Sequence, residues 1–149
     1  MKVQDIHEAA WAYLECASWS TYVSDGEGNI VAESLDDTDA QWNTTAIAAA
    51  TSQIEQFLDD EVDEIIERLG ITPGQLGHDL WLTRNGHGAG FWDRGYGPDG
   101  DRLTQLCKPM GTDDAYIGDD GTIHLTSAWS QRRSDEAAEE MERRYCGGW

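Results

Sequence analysis

A chain of 149 residues with 29 acidic and 10 basic side chains, net −19, is long enough to bury roughly 70% of its unfolded surface in one core without a metal or disulfide staple. Its 7 Trp and 5 Tyr supply large apolar surfaces that disordered acidic chains lack, so composition argues against an unfolded acidic tail. The charge repels nucleic acid and anionic membrane, and it favours basic partners, among them the nucleic-acid-binding faces of other proteins.

Val3, Ile6, Ala10, Tyr13, Leu14 and Ala17 recur at helical spacing, with Asp5, Glu8 and Glu15 off that stripe, so residues 3–18 are expected to form an amphipathic helix. In the next segment, Tyr22-Val23 and Ile30-Val31 flank Asp25-Gly26-Glu27-Gly28-Asn29, a pattern that fits either a loose hairpin or a loop. Residues 33–45 are polar and turn-prone, with Trp42 expected to pin them to the core. From Thr45 to Leu69 one long helix is expected, because Ile47, Ile54, Leu58, Val62, Ile65 and Leu69 fall within about 40° of one line at 100° per residue. Gly70 stops it, with Pro73 beyond. Its opposite side gathers Asp59, Asp60, Asp63, Glu64 and Glu67, whose like charges at i,i+4 oppose helix formation.

Leu80-Trp81-Leu82-Thr83-Arg84 and Gly90-Phe91-Trp92-Asp93-Arg94 fit two strands joined through Asn85-Gly86-His87-Gly88. A short helix is expected over 101–109 through Leu103, Leu106 and Cys107. Ala115–Gly118 and Thr122–Leu125 flank Asp119-Asp120-Gly121 as a second hairpin. A last helix would start at Ser134, with Glu139/Arg143 and Glu140/Arg144 as favourable pairs. The predicted class is α+β, a small antiparallel sheet of two hairpins packed with amphipathic helices.

Residues 1–69 hold 16 acidic and 2 basic residues (net −14), 70–126 hold 8 and 4 (net −4), and 127–149 hold 5 and 4 (net −1). One domain over 1–126 follows, an acidic helical half (1–69) and a Gly-rich sheet half (70–126), with 127–149 as a mixed-charge helical tail. Cys16, Cys107 and Cys146 are odd in number and lack a C-x-x-C pair, which suggests neither a disulfide framework nor a zinc knuckle. No run approaches the ~18 apolar residues of a membrane span, and MKVQDIHEAAW has no basic leader before an apolar segment. The expected location is the cytoplasm.

The run GHDLWLTRNGHGAGFWDRG over 77–95, continued by GDRLT at 100–104 and YIGDDG at 116–121, resembles a family of small acidic proteins encoded by tailed phages and prophages. The similarity covers most of 77–125 and weakly the helices before it, and it leaves out the tail. Leu80 stands where that family more often has an aromatic. The resemblance implies a phage or mobile-element origin and carries no catalytic residues with it.

Several motifs invite sharper interpretations. Gly95-Tyr96-Gly97-Pro98-Asp99-Gly100 matches G-x-G-x-x-G, but Asp99 and Asp101 would repel phosphates, and glycine-rich turn chemistry explains the same letters. His78, Asp79, His87, Asp93 and His124 are candidates for metal ligands or an acid/base pair, although their spacing matches no metal signature. Asp25-Gly26-Glu27-Gly28-Asn29 lacks the glycine and distal Glu of a calcium loop. Arg84, Arg94 and Arg102 with Trp81, Phe91, Trp92 and Tyr96 suit a patch that stacks bases or binds a partner.

Carboxylates at i,i+4 rise by about 6 Å along a helix, of the same order as successive backbone phosphates. The first expectation is therefore a phage-encoded, non-enzymatic DNA mimic of the anti-restriction or anti-CRISPR kind. It would use Asp59, Asp60, Asp63, Glu64 and Glu67 to bind a basic nucleic-acid-binding host protein, with no cofactor or metal. Trp81, Arg84, His87, Phe91, Trp92, Asp93 and Arg94 form a secondary patch. The alternatives are a small enzyme or metal protein built on His87, Asp93 and Arg84, and a phage accessory protein without inhibitory role.

Overall fold

The computed structural model describes residues 1–24, 27–86 and 90–128. Helix α1 (Val3–Ser20) leads into a short antiparallel pair, β1 (Val23–Ser24) and β2 (Ile30–Ala32), and a 3-10 turn at Leu35–Asp37. Then come α2 (Thr44–Phe57), α3 (Asp60–Leu69) and α4 (Pro73–Arg84), a 3-10 turn at Phe91–Asp93, and α5 (Pro98–Cys107). A 3-10 turn at Lys108–Met110 leads to the hairpin of β3 (Ala115–Ile117) and β4 (Ile123–Leu125). The class is α+β, with helices dominant and two separate two-stranded sheets.

The helix expected at 3–18 forms as α1, turning Ala9, Tyr13, Leu14, Cys16 and Ala17 inward. Its main partner is α4, followed by α2. Where α1 and α4 cross, Gly77 carries no side chain, and a methyl group there would overlap the Ala9 carbonyl oxygen and lie 2.8 Å from Tyr13 N. The two backbones therefore approach to a distance that only glycine permits.

The single helix expected over 45–69 is in fact two. Leu58 (ψ 118°) and Asp59 (φ −133°, ψ −176°) adopt extended backbone, and the Asp59 carboxylate accepts a hydrogen bond from Val62 N at 2.8 Å. A side chain that satisfies an orphan N–H competes with helix continuation. The break also suits the acids that follow, since Asp60, Glu61 and Asp63 occupy the first turn of α3, at its positive end. The apolar stripe survives the break: Ile54, Val62 and Ile65 are buried, with Ile47, Leu58 and Leu69 packed against them. Gly70, with φ 69°, ends α3 as expected, and Ile71 N donates back to Ile66 O at 3.1 Å.

The strand pair expected at 80–84 and 90–94 is absent. Leu80–Arg84 is the last part of α4, and Phe91–Asp93 is a 3-10 turn. Thr72 caps α4 by accepting from Gln75 N at 3.2 Å, and Pro73 opens it. Leu76, Gly77, Asp79, Leu80, Trp81, Leu82 and Arg84 are all buried, so the buried positions of α4 include charged residues and its partly exposed side is only a narrow strip through Gln75 and His78, too little to mark the helical period. The "sheet half" at 70–126 thus contributes α4 and α5 and only one hairpin, while the other hairpin is the one that residues 22–31 suggested. The turn residues Asp25, Gly26 and His87–Ala89, and the tail helix expected from Ser134, lie outside the described residues.

Trp42 does pin its loop. It is partly buried against the core and bridges Ile123 in parallel, while Asn43 N donates to Ile123 O and Ile123 N to Gln41 O, both at 2.8 Å. The short helix expected at 101–109 forms as α5 with Leu103 and Cys107 buried, and β3 and β4 pair in register, Ala115 opposite Leu125 and Ile117 opposite Ile123.

Because Asp59 is the cap of α3, Asp59→Ala is expected to lower stability by about 1 kcal/mol, whereas Asp59→Ser should stay within a few tenths, roughly as caps behave elsewhere. Urea denaturation of the two variants checks this, and equal losses would show that the cap contributes nothing.

Candidate functional site

The acids singled out by their spacing sit on α3, with Asp59 as its cap. Taking 100° per residue, Asp60, Asp63, Glu64 and Glu67 span an arc of about 100° on that helix. Asp60, Glu64 and Glu67 are exposed and Asp63 is half-buried. Val62, Ile65 and Ile66 hold the opposite side in the core. On the flank facing α5, Glu61 takes a two-pronged pair from Arg102 (2.7 and 2.9 Å), and Arg68 gives one to Asp99 (3.1 and 2.7 Å). The Arg102 hydrogen bonds hold the Glu61 carboxyl below its usual range. Among the described residues, no Lys or Arg side chain is ion-paired with Asp60, Asp63, Glu64 or Glu67; the Met1 amino group lies 3.4 Å from Asp63, and Arg68, committed to Asp99, also feels the charge of Glu64.

Two grooves flank the first turn of α4 and extend this acidic surface onto α1. The larger, about 780 Å³, is lined by Met1, Lys2 and Asp5 at the start of the chain, Asp63, Ile66 and Glu67 of α3, and Ile71 and Pro73. The smaller, about 360 Å³, lies between Gly74, Gln75 and His78 of α4 and Glu8, Trp11 and Glu15 of α1. Pro73 belongs to one and its neighbour Gly74 to the other, so carboxylates of α1 run past both.

The secondary patch does not assemble. Trp81 is buried, its edge set against the Tyr13 ring and its Nε1 donating to Ser20 Oγ at 2.9 Å. Phe91 is buried and stacked on Phe57. Trp92, Asp93 and Arg94 are exposed, and His87 lies outside the described residues.

Arg84 is the centre of a buried network. Its Nε donates to Gly111 O (3.1 Å), its Nη1 to the Tyr13 hydroxyl (2.9 Å) and Gln53 Oε1 (2.7 Å), and its Nη2 to Met110 O (2.9 Å) and Thr112 O (3.4 Å). A guanidinium has five N–H donors, so none is left for a ligand. Asp113 lies 3.7 Å from Nη1 and is saturated too, accepting from Tyr13 (2.5 Å), Ser127 Oγ (2.8 Å), Ser127 N (2.9 Å) and Thr126 Oγ1 (3.1 Å). Burial first, and then the charge of Asp113, push the Tyr13 phenol well above its ordinary value of 10.0. The network is structural: Arg84 cannot serve the enzyme alternative that paired it with His87 and Asp93.

Asp79, the other buried carboxylate, directs Oδ1 to Arg94 Nη2 (2.8 Å) and Nε (3.0 Å) and to Gln75 Nε2 (2.9 Å), while its Oδ2 meets no donor among the described residues. His78 stands on α4 beside Trp19. His124 stacks on Tyr116 and lies 3.1 Å from Asp120, whose carboxyl is held down to about 2 by hydrogen bonds from Thr122 and His124. Among the described residues, no group of three or more His, Cys, Asp or Glu is placed to hold a metal ion. Burial raises the thiols of Cys16 and Cys107 to about 12 each, which leaves them protonated and unreactive.

Gly95 and Gly97 take left-handed φ values of 74° and 63°, and a Cβ on Gly100 would lie 2.7 Å from Phe91 O. These glycines follow a 3-10 turn, not a strand, and Asp99 in the first turn of α5 is engaged by Arg68. Turn geometry accounts for the G-x-G-x-x-G spacing, and among the described residues no strand leads into these glycines as a dinucleotide site requires.

Arg84→Met would leave Asp113 charged and uncompensated in the core, with an expected loss of about 3–5 kcal/mol of stability, measurable by urea unfolding. A loss under 1 kcal/mol would mean that the network is dispensable. Tyr13 adds a pH dependence. Its folded-state pKa lies above the unfolded value near 10.0, so its stabilisation is complete below pH 10 and is lost as pH rises beyond it. Ultraviolet titration of tyrosinate should show one tyrosine that ionises only on alkaline unfolding, and Tyr13→Phe should abolish that late step. Comparison with protein-family models, curated proteins and solved structures finds no match to this chain.

Proposed function

We propose that the protein is an acidic decoy that occupies the basic, nucleic-acid-binding surface of a host protein by presenting carboxylates where phosphates would lie. The observation that carries this reading is the row on α3: Asp60, Glu64 and Glu67 are exposed, Asp63 borders them, and none is ion-paired with Lys or Arg among the described residues. A surface kept only for solubility interleaves both signs of charge. Here Glu61 and Arg68 are matched with α5, and the row beside them is left open.

The row is rigid because Val62, Ile65 and Ile66 fix the helix beneath it. Its i,i+4 pairs are spaced by about 6 Å, near the spacing of backbone phosphates. Asp5 shares the larger groove with Asp63 and Glu67, where Lys2 and the Met1 amino group offset part of the charge. Asp59 has a different part, since its carboxylate is held by the α3 backbone. The resemblance of most of residues 77–125 to small phage and prophage proteins suggests the setting, with restriction, CRISPR or repair enzymes as targets.

The test is capture from host lysate by immobilised protein at low and high salt, with proteins identified by mass spectrometry. The expected outcome is retention of nucleic-acid-binding proteins at low salt and release at high salt, because steering between charged faces is screened. The variant Asp60→Asn/Asp63→Asn/Glu64→Gln/Glu67→Gln should lose them, and purified target should lose its nucleic-acid binding when the wild-type protein is added. Equal capture by the neutralised variant would overturn the proposal.

A further inference from the structure

Trp11 and Trp19 are 53% and 48% exposed on α1, whereas Tyr13 and Leu14 of the same helix are fully buried. At 100° per residue, Glu8, Trp11, Glu15 and Trp19 fall within an arc of about 80°, on the side of α1 away from the core. Leaving two indoles there exposes apolar surface that a solvated helix face would replace with polar residues, and such patches mark contact sites.

The smaller groove turns that strip into a recess. Glu8, Trp11 and Glu15 form one wall, and Gly74, Gln75 and His78 form the other. No Lys or Arg lines it, and neither glutamate is ion-paired among the described residues. Gly74 leaves it open, since a Cβ there would meet nothing within 4 Å.

We propose that this groove docks an arginine of a basic segment on a partner protein, its guanidinium lying against the Trp11 indole between Glu8 and Glu15. A guanidinium is planar and weakly hydrated, stacks on indole and pairs with carboxylate, whereas the lysine ammonium is compact and strongly hydrated. A neutral apolar segment would cover the indole but desolvate two carboxylates without compensation. Glu8 and Glu15 are about 10 Å apart along α1, so a segment lying along the groove can meet one at each end. The site is separate from the α3 row and does not depend on it.

Acetylated hexa-arginine amide is the probe and hexa-citrulline, its uncharged counterpart, the control. Binding is followed by the indole N–H resonances, with Trp11 assigned through Trp11→Phe. Saturable movement of the Trp11 resonance with hexa-arginine alone is expected. Trp11→Ala, Glu8→Gln/Glu15→Gln and Gly74→Gln should each weaken binding by about tenfold, the scale of one desolvated cation–π contact or ion pair. Circular dichroism verifies that each remains folded. Asp60→Asn/Glu64→Gln/Glu67→Gln should preserve the Trp11 response within about twofold, as distant sites are close to additive, which separates this site from the α3 decoy surface. Affinity that survives all three groove substitutions, or a Trp11 resonance that hexa-arginine leaves unmoved, would overturn the proposal.

Discussion

The fold depends on one buried guanidinium. Arg84 closes α4 and reaches into a space bounded by Tyr13 of α1, Gln53 of α2 and the carbonyls of Met110 to Thr112. Desolvating a charge is tolerable only where every donor finds an acceptor and a counter-charge stands close. Asp113 supplies the counter-charge and in turn takes up Thr126 and Ser127 beyond β4. Three helices, the linker after α5 and the end of the second hairpin are therefore joined through one group. Lysine could not replace it, since a single ammonium has three donors and no planar fork.

The network and the surface are two sides of the same helices. Tyr13 and Leu14 face inward on α1 because Arg84 and the core hold them there, and that orientation turns Glu8, Trp11, Glu15 and Trp19 outward. Similarly, burial of Val62, Ile65 and Ile66 aligns the acids of α3. The interior thus fixes where charge and aromatic surface are displayed. Salt acts on these roles in opposite senses: screening relieves repulsion among the clustered carboxylates within the fold, while it weakens their attraction for a basic partner.

Legibility in the sequence followed how locally each element is encoded. α1, the stop at Gly70 and the β3–β4 hairpin were readable because periodicity, a left-handed glycine and an Asp-Asp-Gly turn lie within a few residues. The break at Asp59 had a visible signal, an aspartate before three acids in one helical turn, but the apolar stripe running through it masked the cap. Leu80–Arg84 departs from its strand-like pattern for a different reason. A helix buried over most of its circumference, with Asp79 and Arg84 among the buried residues, loses the alternation that identifies it, and the Thr72-Pro73 start, eight residues earlier, is the better clue. The Arg84 network could not be foreseen, because Tyr13 and Asp113 are 100 residues apart. Trp11 and Trp19 could have been found, as both fall on the charged side of a helix whose apolar stripe omits them.

Gly77 has a consequence beyond tight packing. Since a methyl group there would strike the Ala9 carbonyl and crowd Tyr13 N, the missing side chain sets the spacing of α1 and α4, and with it the width of the recess that opens one turn away at Gly74 and Glu8. Any larger residue would act as a wedge, prising apart the two walls and shifting Tyr13 off Arg84. An alteration deep between the helices would then register outside as a misfitting cleft, so interior and exterior at this crossing are constrained to vary together.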